Sequence, residues 1–171
     1  GKFDTTRFQL NGQLDWPVSS QHLLTAGSDY SNESVDSSVT YDIDERSNLG
    51  VFLQWQGTHG AQNFVAGTRI DNNEQFGTHT TGSVDYALDL TSGYRLNMGY
   101  GTAFKAPSFN DLYYPEFGTP TLDVETSSSF EVGLSGDSYR GHWSIRGFQT
   151  RIEDLIGYDP VTWASVNVDK A

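Results

Sequence analysis

Between Thr5 and Trp16, the apolar residues Phe8, Leu10, Leu14 and Trp16 share one parity, and Arg7, Gln9, Asn11, Gln13 and Asp15 share the other. A period of two sends successive side chains to opposite faces, so the segment predicts a strand with one apolar and one polar face. The pattern returns in eight further segments, giving strands over 5–16, 21–30, 48–56, 62–70, 80–90, 94–104, 128–136, 141–153 and 163–170. Short connections over 17–20, 57–61, 91–93 and 137–140 alternate with longer ones over 31–47, 71–79, 105–127 and 154–162. This is how a transmembrane β-barrel is written in sequence, with short turns at the periplasmic end and long loops at the outer end. The fold class is therefore all-β: an antiparallel up-and-down meander forming one partial barrel domain over 1–171, with polar parity toward a lumen and apolar parity toward lipid.

Register follows from the same pattern. Val84, Tyr86, Leu88 and Leu90 share one face and Tyr94, Leu96, Met98 and Tyr100 another. If both are the same side of one sheet, the turn holds an odd number of residues. Thr91-Ser92-Gly93 fits, with Gly93 supplying a left-handed residue. Asp89 then lies opposite Arg95. By parity Arg69, Asp85, Glu131 and Arg146 also point into the lumen, either as wall charges or as contacts for a plug or permeating solute. Leu10, Leu53, Tyr86 and Met98 belong to the lipid face, and finding them inside a water-excluding centre would contradict the scheme.

Composition changes this picture little. Only 36% of the residues are hydrophobic, but a barrel wall shows lipid only alternate residues while its strands satisfy each other's backbone groups. No apolar run reaches the 18 residues of a membrane helix. An aromatic content of 13% suits girdles at the two bilayer interfaces. The net charge of −12 argues against nucleic acid, whose binders need Lys and Arg to replace phosphate counterions. With no Cys there is no disulfide frame and no thiol site. Gly1-Lys2-Phe3-Asp4 leads straight into a strand, so the chain reads as an interior piece of a longer protein.

The acidic residues concentrate in or beside the longer loops, as solvated segments do. A calcium site at Asp36, Asp42 and Asp44 is the sharper alternative, but their spacing matches no EF-hand loop. His22, His59, His79 and His142 are the only side chains that titrate near neutrality. No nucleophile elbow, His-Glu-x-x-His or Walker motif accompanies them, so no catalytic residue and no enzyme is expected.

The most distinctive stretch begins Gly99-Tyr100-Gly101-Thr102-Ala103-Phe104-Lys105-Ala106-Pro107 and continues through Leu112-Tyr113-Tyr114 to Pro120-Thr121-Leu122-Asp123-Val124-Glu125 and Phe130-Glu131-Val132-Gly133. Periodicity makes it a strand with small lumen residues, a proline stop, a long loop and a return strand. The residues themselves resemble the barrel of TonB-dependent outer-membrane receptors. Those sequences carry a Lys or Arg-Ala-Pro strand end, then Leu-Tyr, Pro-x-Leu-x-x-Glu and an aromatic-Glu-x-Gly strand. A narrower likeness, to the cobalamin (vitamin B12) branch of that family, covers Asp44 to Gly50, Arg69 to Gly77 and Asp154 to Tyr158.

This resemblance implies a section of a barrel of about 22 strands in the bacterial outer membrane. Its partners are then a plug outside the chain, the remaining strands, the TonB complex acting through that plug, the lipid bilayer, and cobalamin or an iron chelate. The family's calcium-binding loops fall upstream of Gly1, so no calcium ligand and no cofactor carry over. Ligand contact belongs to the outer loops, where Tyr113, Tyr114 and Phe117 suit stacking on a large ligand with apolar faces. The alternatives are a ferric-siderophore receptor, a structural porin-like wall, and a soluble all-β carbohydrate-binding module. Detergent dependence separates the last from a lipid-facing sheet.

Overall fold

Alternation of side-chain character builds nine strands among the described residues of a computed structural model, which are 2–90, 93–139 and 141–170. They are β1 (Phe3–Pro17), β2 (His22–Ser37), β3 (Glu45–His59), β4 (Gln62–Asn73), β5 (Gly77–Asp89), β6 (Tyr94–Lys105), β7 (Glu125–Ser138), β8 (Gly141–Tyr158) and β9 (Ser165–Lys170). A five-residue helix, α1 (Phe109–Tyr113), interrupts the connection between β6 and β7. All strands lie in one sheet in sequence order, each antiparallel to the next.

The expected register holds. Val84 faces Tyr100, Tyr86 faces Met98, Leu88 faces Leu96 and Asp89 faces Arg95. Gly93 has φ +77°, the left-handed conformation that glycine adopts without a Cβ penalty. Thr91 and Ser92 of the proposed turn lie outside the described residues, as does Arg140 in the turn over 137–140.

Burial bears out the two-faced sheet. Leu10, Leu53 and Met98 are 65%, 47% and 38% exposed, so they form no centre; Tyr86 is half-buried. On the same face, toward the short-turn end, rings follow one another from strand to strand. His22 stacks on Trp55 at 5.7 Å, Trp55 on Phe64 at 6.4 Å, Phe64 meets Tyr86 at 4.9 Å, and Tyr94 meets Trp143 at 6.0 Å. That belt accounts for His22. The face is not uniform, because Arg151 and Glu153 share its parity near the long-loop end, while Phe52 and Phe148 stand on the polar side.

Two connections are shorter than their polar sequence predicts. β2 runs to Ser37 and β3 starts at Glu45, so the loop read over 31–47 shrinks to 38–44, and the one read over 71–79 shrinks to 74–76. Polar residues on both parities hide the strand signal there. Cross-strand contacts hold those ends, with Asn32 Nδ2 donating to Glu45 at 2.7 Å and Glu33 facing Arg46. The buried apolar residues Val35, Tyr41, Phe109, Leu112 and Leu122 therefore come from the long-loop end and the α1 connection.

Candidate functional site

The polar face carries a ladder of ion pairs, most of which join neighbouring strands. At its long-loop end Glu33 lies between Arg7 and Arg46, 3.3 Å from each. One step down, Arg69 on β4 reaches over β3 to β2. Its Nη1 and Nη2 donate to the two carboxylate oxygens of Asp29 at 2.6 and 3.0 Å, and its Nε and Nη2 donate to those of Asp71 at 2.7 and 2.6 Å. Asn48 adds a third donor to Asp71 at 2.9 Å.

This crossing is allowed by Gly50, the β3 residue between Asp29 and Asp71 in register. A Cβ there would stand 2.5 Å from Arg69 Cζ and 2.9 Å from Asp71 Oδ1. From sequence, Asp29 lies near the end of the strand read over 21–30 and Asp71 opens the loop read over 71–79; the structure places both on strands, as the partners of Arg69.

Farther along the same face Arg95 donates to Asp89 at 2.7 Å, and Arg146 lies 3.3 Å from Glu131. Asp85 faces Gly99, and Gly99 faces Glu131. The Asp85 carboxylate occupies the room that glycine leaves, 2.8 Å from where a Cβ would stand. All six charges expected on the lumen side thus share one face.

Over the long-loop end of this face the segment after β6 folds back. Ser108 and Asp111 form a reciprocal cap that starts α1, which satisfies otherwise orphaned backbone donors. Arg46, only 8% exposed, donates to the Pro107 carbonyl at 2.9 Å and lies over the Phe109 ring at 4.9 Å and the Phe76 ring at 5.8 Å. Tyr41 Oη donates to Asn110 Oδ1 at 2.7 Å, and Gln75 Nε2 donates to Tyr113 Oη at 2.6 Å. On the far side, the Ser165 N–H donates to the Phe117 carbonyl and Asn167 bridges Asp123. The segment is therefore tied to both β2–β5 and β9.

The three aromatic candidates divide. Tyr113 packs against the cluster of Val35, Tyr41 and Phe109. Tyr114 and Phe117 are exposed and face each other at 6.3 Å, and Trp163 presents a third exposed ring in the β8–β9 turn. Sequence reading missed Trp163 and Arg46; an arginine in a polar loop carries no local mark of burial.

Around the site, burial pushes the Tyr41 phenol up. The Ser47 backbone N–H, helped by its hydroxyl, holds the Glu74 carboxyl below the usual range. The Thr162 and Val161 N–H groups do the same for Asp159. Among the described residues no three His, Cys, Asp or Glu side chains converge in a way that could hold a metal. Asp36, once a calcium candidate, contacts Lys2 at 2.6 Å. His79 and His142 are engaged separately, with the Phe104 ring and with Asp137.

Comparison with known proteins agrees with this architecture. A family model described as TonB dependent receptor-like, beta-barrel, matches residues 1–171. The vitamin B12 transporter BtuB of Photobacterium profundum is 35% identical over 99% of the chain, which spans 29% of that transporter. The siderophore receptor PirA of Pseudomonas aeruginosa superposes with a TM-score of 0.88 at 21% identity, over 98% of this chain and 35% of PirA. The FrpB iron transporter of Neisseria meningitidis (F3-3 variant) superposes with a TM-score of 0.78 at 13% identity, over 98% and 32%. At such identities the two structures show a shared fold.

Proposed function

Because the chain belongs to the TonB-dependent receptor β-barrel family, we propose that it forms part of the wall of an outer-membrane transporter that takes up cobalamin. The carrying observation is the 35% identity to a vitamin B12 transporter across 99% of the chain. The wall moves solute without making or breaking bonds. A plug outside these residues, the remaining strands and the TonB complex complete the transporter in the bacterial outer membrane.

The charge ladder favours this solute over an iron chelate. Arg7, Arg46, Arg69, Arg95 and Arg146, the polar-face arginines among the described residues, each contact a carboxylate. An anionic ferric chelate would find no uncommitted guanidinium here, whereas a large ligand with apolar faces needs rings. Tyr114 and Phe117 supply those rings, and Tyr113 fixes the segment that carries them.

Equilibrium titration of the full-length receptor with cyanocobalamin and, separately, with a ferric catecholate siderophore tests the proposal. Saturable cobalamin binding without chelate binding is expected. Binding of the chelate alone would assign the barrel to iron uptake.

A further inference from the structure

A rung of uncharged side chains sits between two rungs of the charge ladder. Ser31 on β2 faces Asn48 on β3, and Asn48 faces Asn73 on β4. Two residues toward the long loops the same face carries Arg7, Glu33 and Arg46, and two residues the other way it carries Asp29, Gly50 and Asp71. The outer rung holds two arginines and one carboxylate; the inner one, with Arg69 reaching into it, holds one arginine and two carboxylates. Their charges cancel, so an ion entering the space between them gains no net partner, and a neutral polar group fits it better.

A cavity of about 180 Å³ opens on this rung, bounded by Arg7, Glu33 and Arg46 and by Ala106, where the segment after β6 starts its return. Pockets that enclose a whole small molecule measure about 300–1,000 Å³. This one takes a side group whose parent body stays in the lumen.

Both asparagines are fixed in orientation by what they already hold. Asn73 Oδ1 accepts the N–H groups of Gln75 and Phe76, each at 3.1 Å, so the atom left to present is the Nδ2 donor. Asn48 Nδ2 donates to Asp71 at 2.9 Å, so the atom left to present is the Oδ1 acceptor, which is buried with no partner. Ser31, 7% exposed, adds a hydroxyl that can give or accept.

A donor and an acceptor thus stand side by side on neighbouring strands, with Cβ atoms about 4.5–5.5 Å apart. A primary carboxamide has the complementary pair, a carbonyl that accepts and an NH2 that donates, on two separate atoms. An ionised carboxylate only accepts, and would set a second oxygen against Asn48 Oδ1. We propose that the Ser31–Asn48–Asn73 rung is a specificity subsite for a primary carboxamide side group of the transported solute. The inference rests on the cobalamin reading above, since the rim of the corrin ring carries such groups.

Isothermal titration of the full-length receptor, plug included, with cyanocobalamin and with its b-, d- and e-monocarboxylic acids tests it, because each acid replaces one propionamide by a carboxylate. The parent should bind at least one acid about tenfold or more weaker than cyanocobalamin, as expected when one buried group is left unpaired. Asn48→Ala removes the acceptor that rejects the acid, and should bring that ratio below about threefold. Asn73→Asp keeps an oxygen for the Gln75 and Phe76 N–H groups but exchanges the donor for an acceptor, and should weaken cyanocobalamin about tenfold. A merely structural rung would lower the affinity for every ligand together, so the ratio is the readout. Acids that bind the parent as tightly as cyanocobalamin, or a ratio that Asn48→Ala leaves unchanged, overturn the inference and leave the cobalamin reading standing. Uniform loss across all ligands in both variants overturns it too, and assigns the rung to contact with the plug. A parent that binds no cyanocobalamin overturns the cobalamin reading itself and this inference with it.

Discussion

Gly50→Ala should destabilise the barrel as much as removing an ion pair, although it adds only a methyl group. The new Cβ would stand 2.5 Å from Arg69 Cζ, so the guanidinium has to leave its place between Asp29 and Asp71. Four hydrogen bonds of 2.6 to 3.0 Å are then lost. Asp71, 4% exposed, keeps only the Asn48 donor. Removing one partner from a buried ion pair costs roughly 3–5 kcal/mol. The Arg69 side chain is 32% exposed, and water recovers part of this, so a loss of about 2–3 kcal/mol is expected. Urea unfolding of the full-length receptor in detergent micelles reads the change. In an Arg69→Met background the same substitution meets only Asp71 Oδ1 and should cost less than about 1 kcal/mol, a coupling typical of residues in contact. A Gly50→Ala protein within ~0.5 kcal/mol of the parent, or one whose loss adds fully to that of Arg69→Met, refutes the reasoning.

Arg46→Met removes the donor to the Pro107 carbonyl and the pairing with Glu33. Proteinase K should then nick the segment over 106–124 about tenfold faster, equivalent to about 1.4 kcal/mol in its opening equilibrium; an unchanged rate would deny Arg46 that holding role. Tyr114→Ala and Phe117→Ala should each weaken cobalamin binding about fivefold or more, as expected for exposed rings that stack on a ligand, whereas Tyr113→Phe, which loses only the Gln75 bond, should change it less. Asp159 has a folded pKa below its unfolded value, so its contribution is present above the usual aspartate value of ~3.9 and is lost as pH falls through the folded one. Fluorescence of Trp163, whose backbone N–H donates to the Asp159 backbone carbonyl at 2.8 Å, should therefore change in acid in the parent and not in Asp159→Asn.

The parts of this wall that alternate were legible from residues alone. Asp89 opposite Arg95 follows from counting positions across a turn, and the strand from Thr5 to Trp16 announces both of its faces. Legibility fails where one parity stops being apolar. Ser31, Asn32, Glu33 and Ser34 give no period, yet they belong to β2, because their partners on β3 are also polar. The fold-back of α1 is invisible for a different reason. Arg46, Tyr41 and Gln75 lie far from Pro107, Asn110 and Tyr113 in sequence, and only the sheet brings them together. Gly50 was readable as a small residue but not as a passage for Arg69, since that requires three strands in register at once.

On the proposed function, the charge ladder and the loop rings divide the labour of the wall. A lumen must stay polar to be wet, yet uncommitted arginines along it would hold every anion that passes. Pairing each polar-face arginine among the described residues with a carboxylate, mostly on a neighbouring strand, keeps the surface hydrated while neutralising it locally. It also pins register, since a one-residue slip would send one partner to the apolar face. On the proposed function, discrimination would then fall to groups that are exposed and uncharged: Tyr114 and Phe117 above the face, and Trp163 in the β8–β9 turn. If this division is right, neutralising a pair together, as in Asp89→Asn with Arg95→Gln, should leave cobalamin affinity unchanged and alter only stability, by roughly the 0.2–1 kcal/mol of a cross-strand pair. A tenfold loss of affinity in that double variant would place recognition in the ion pairs themselves.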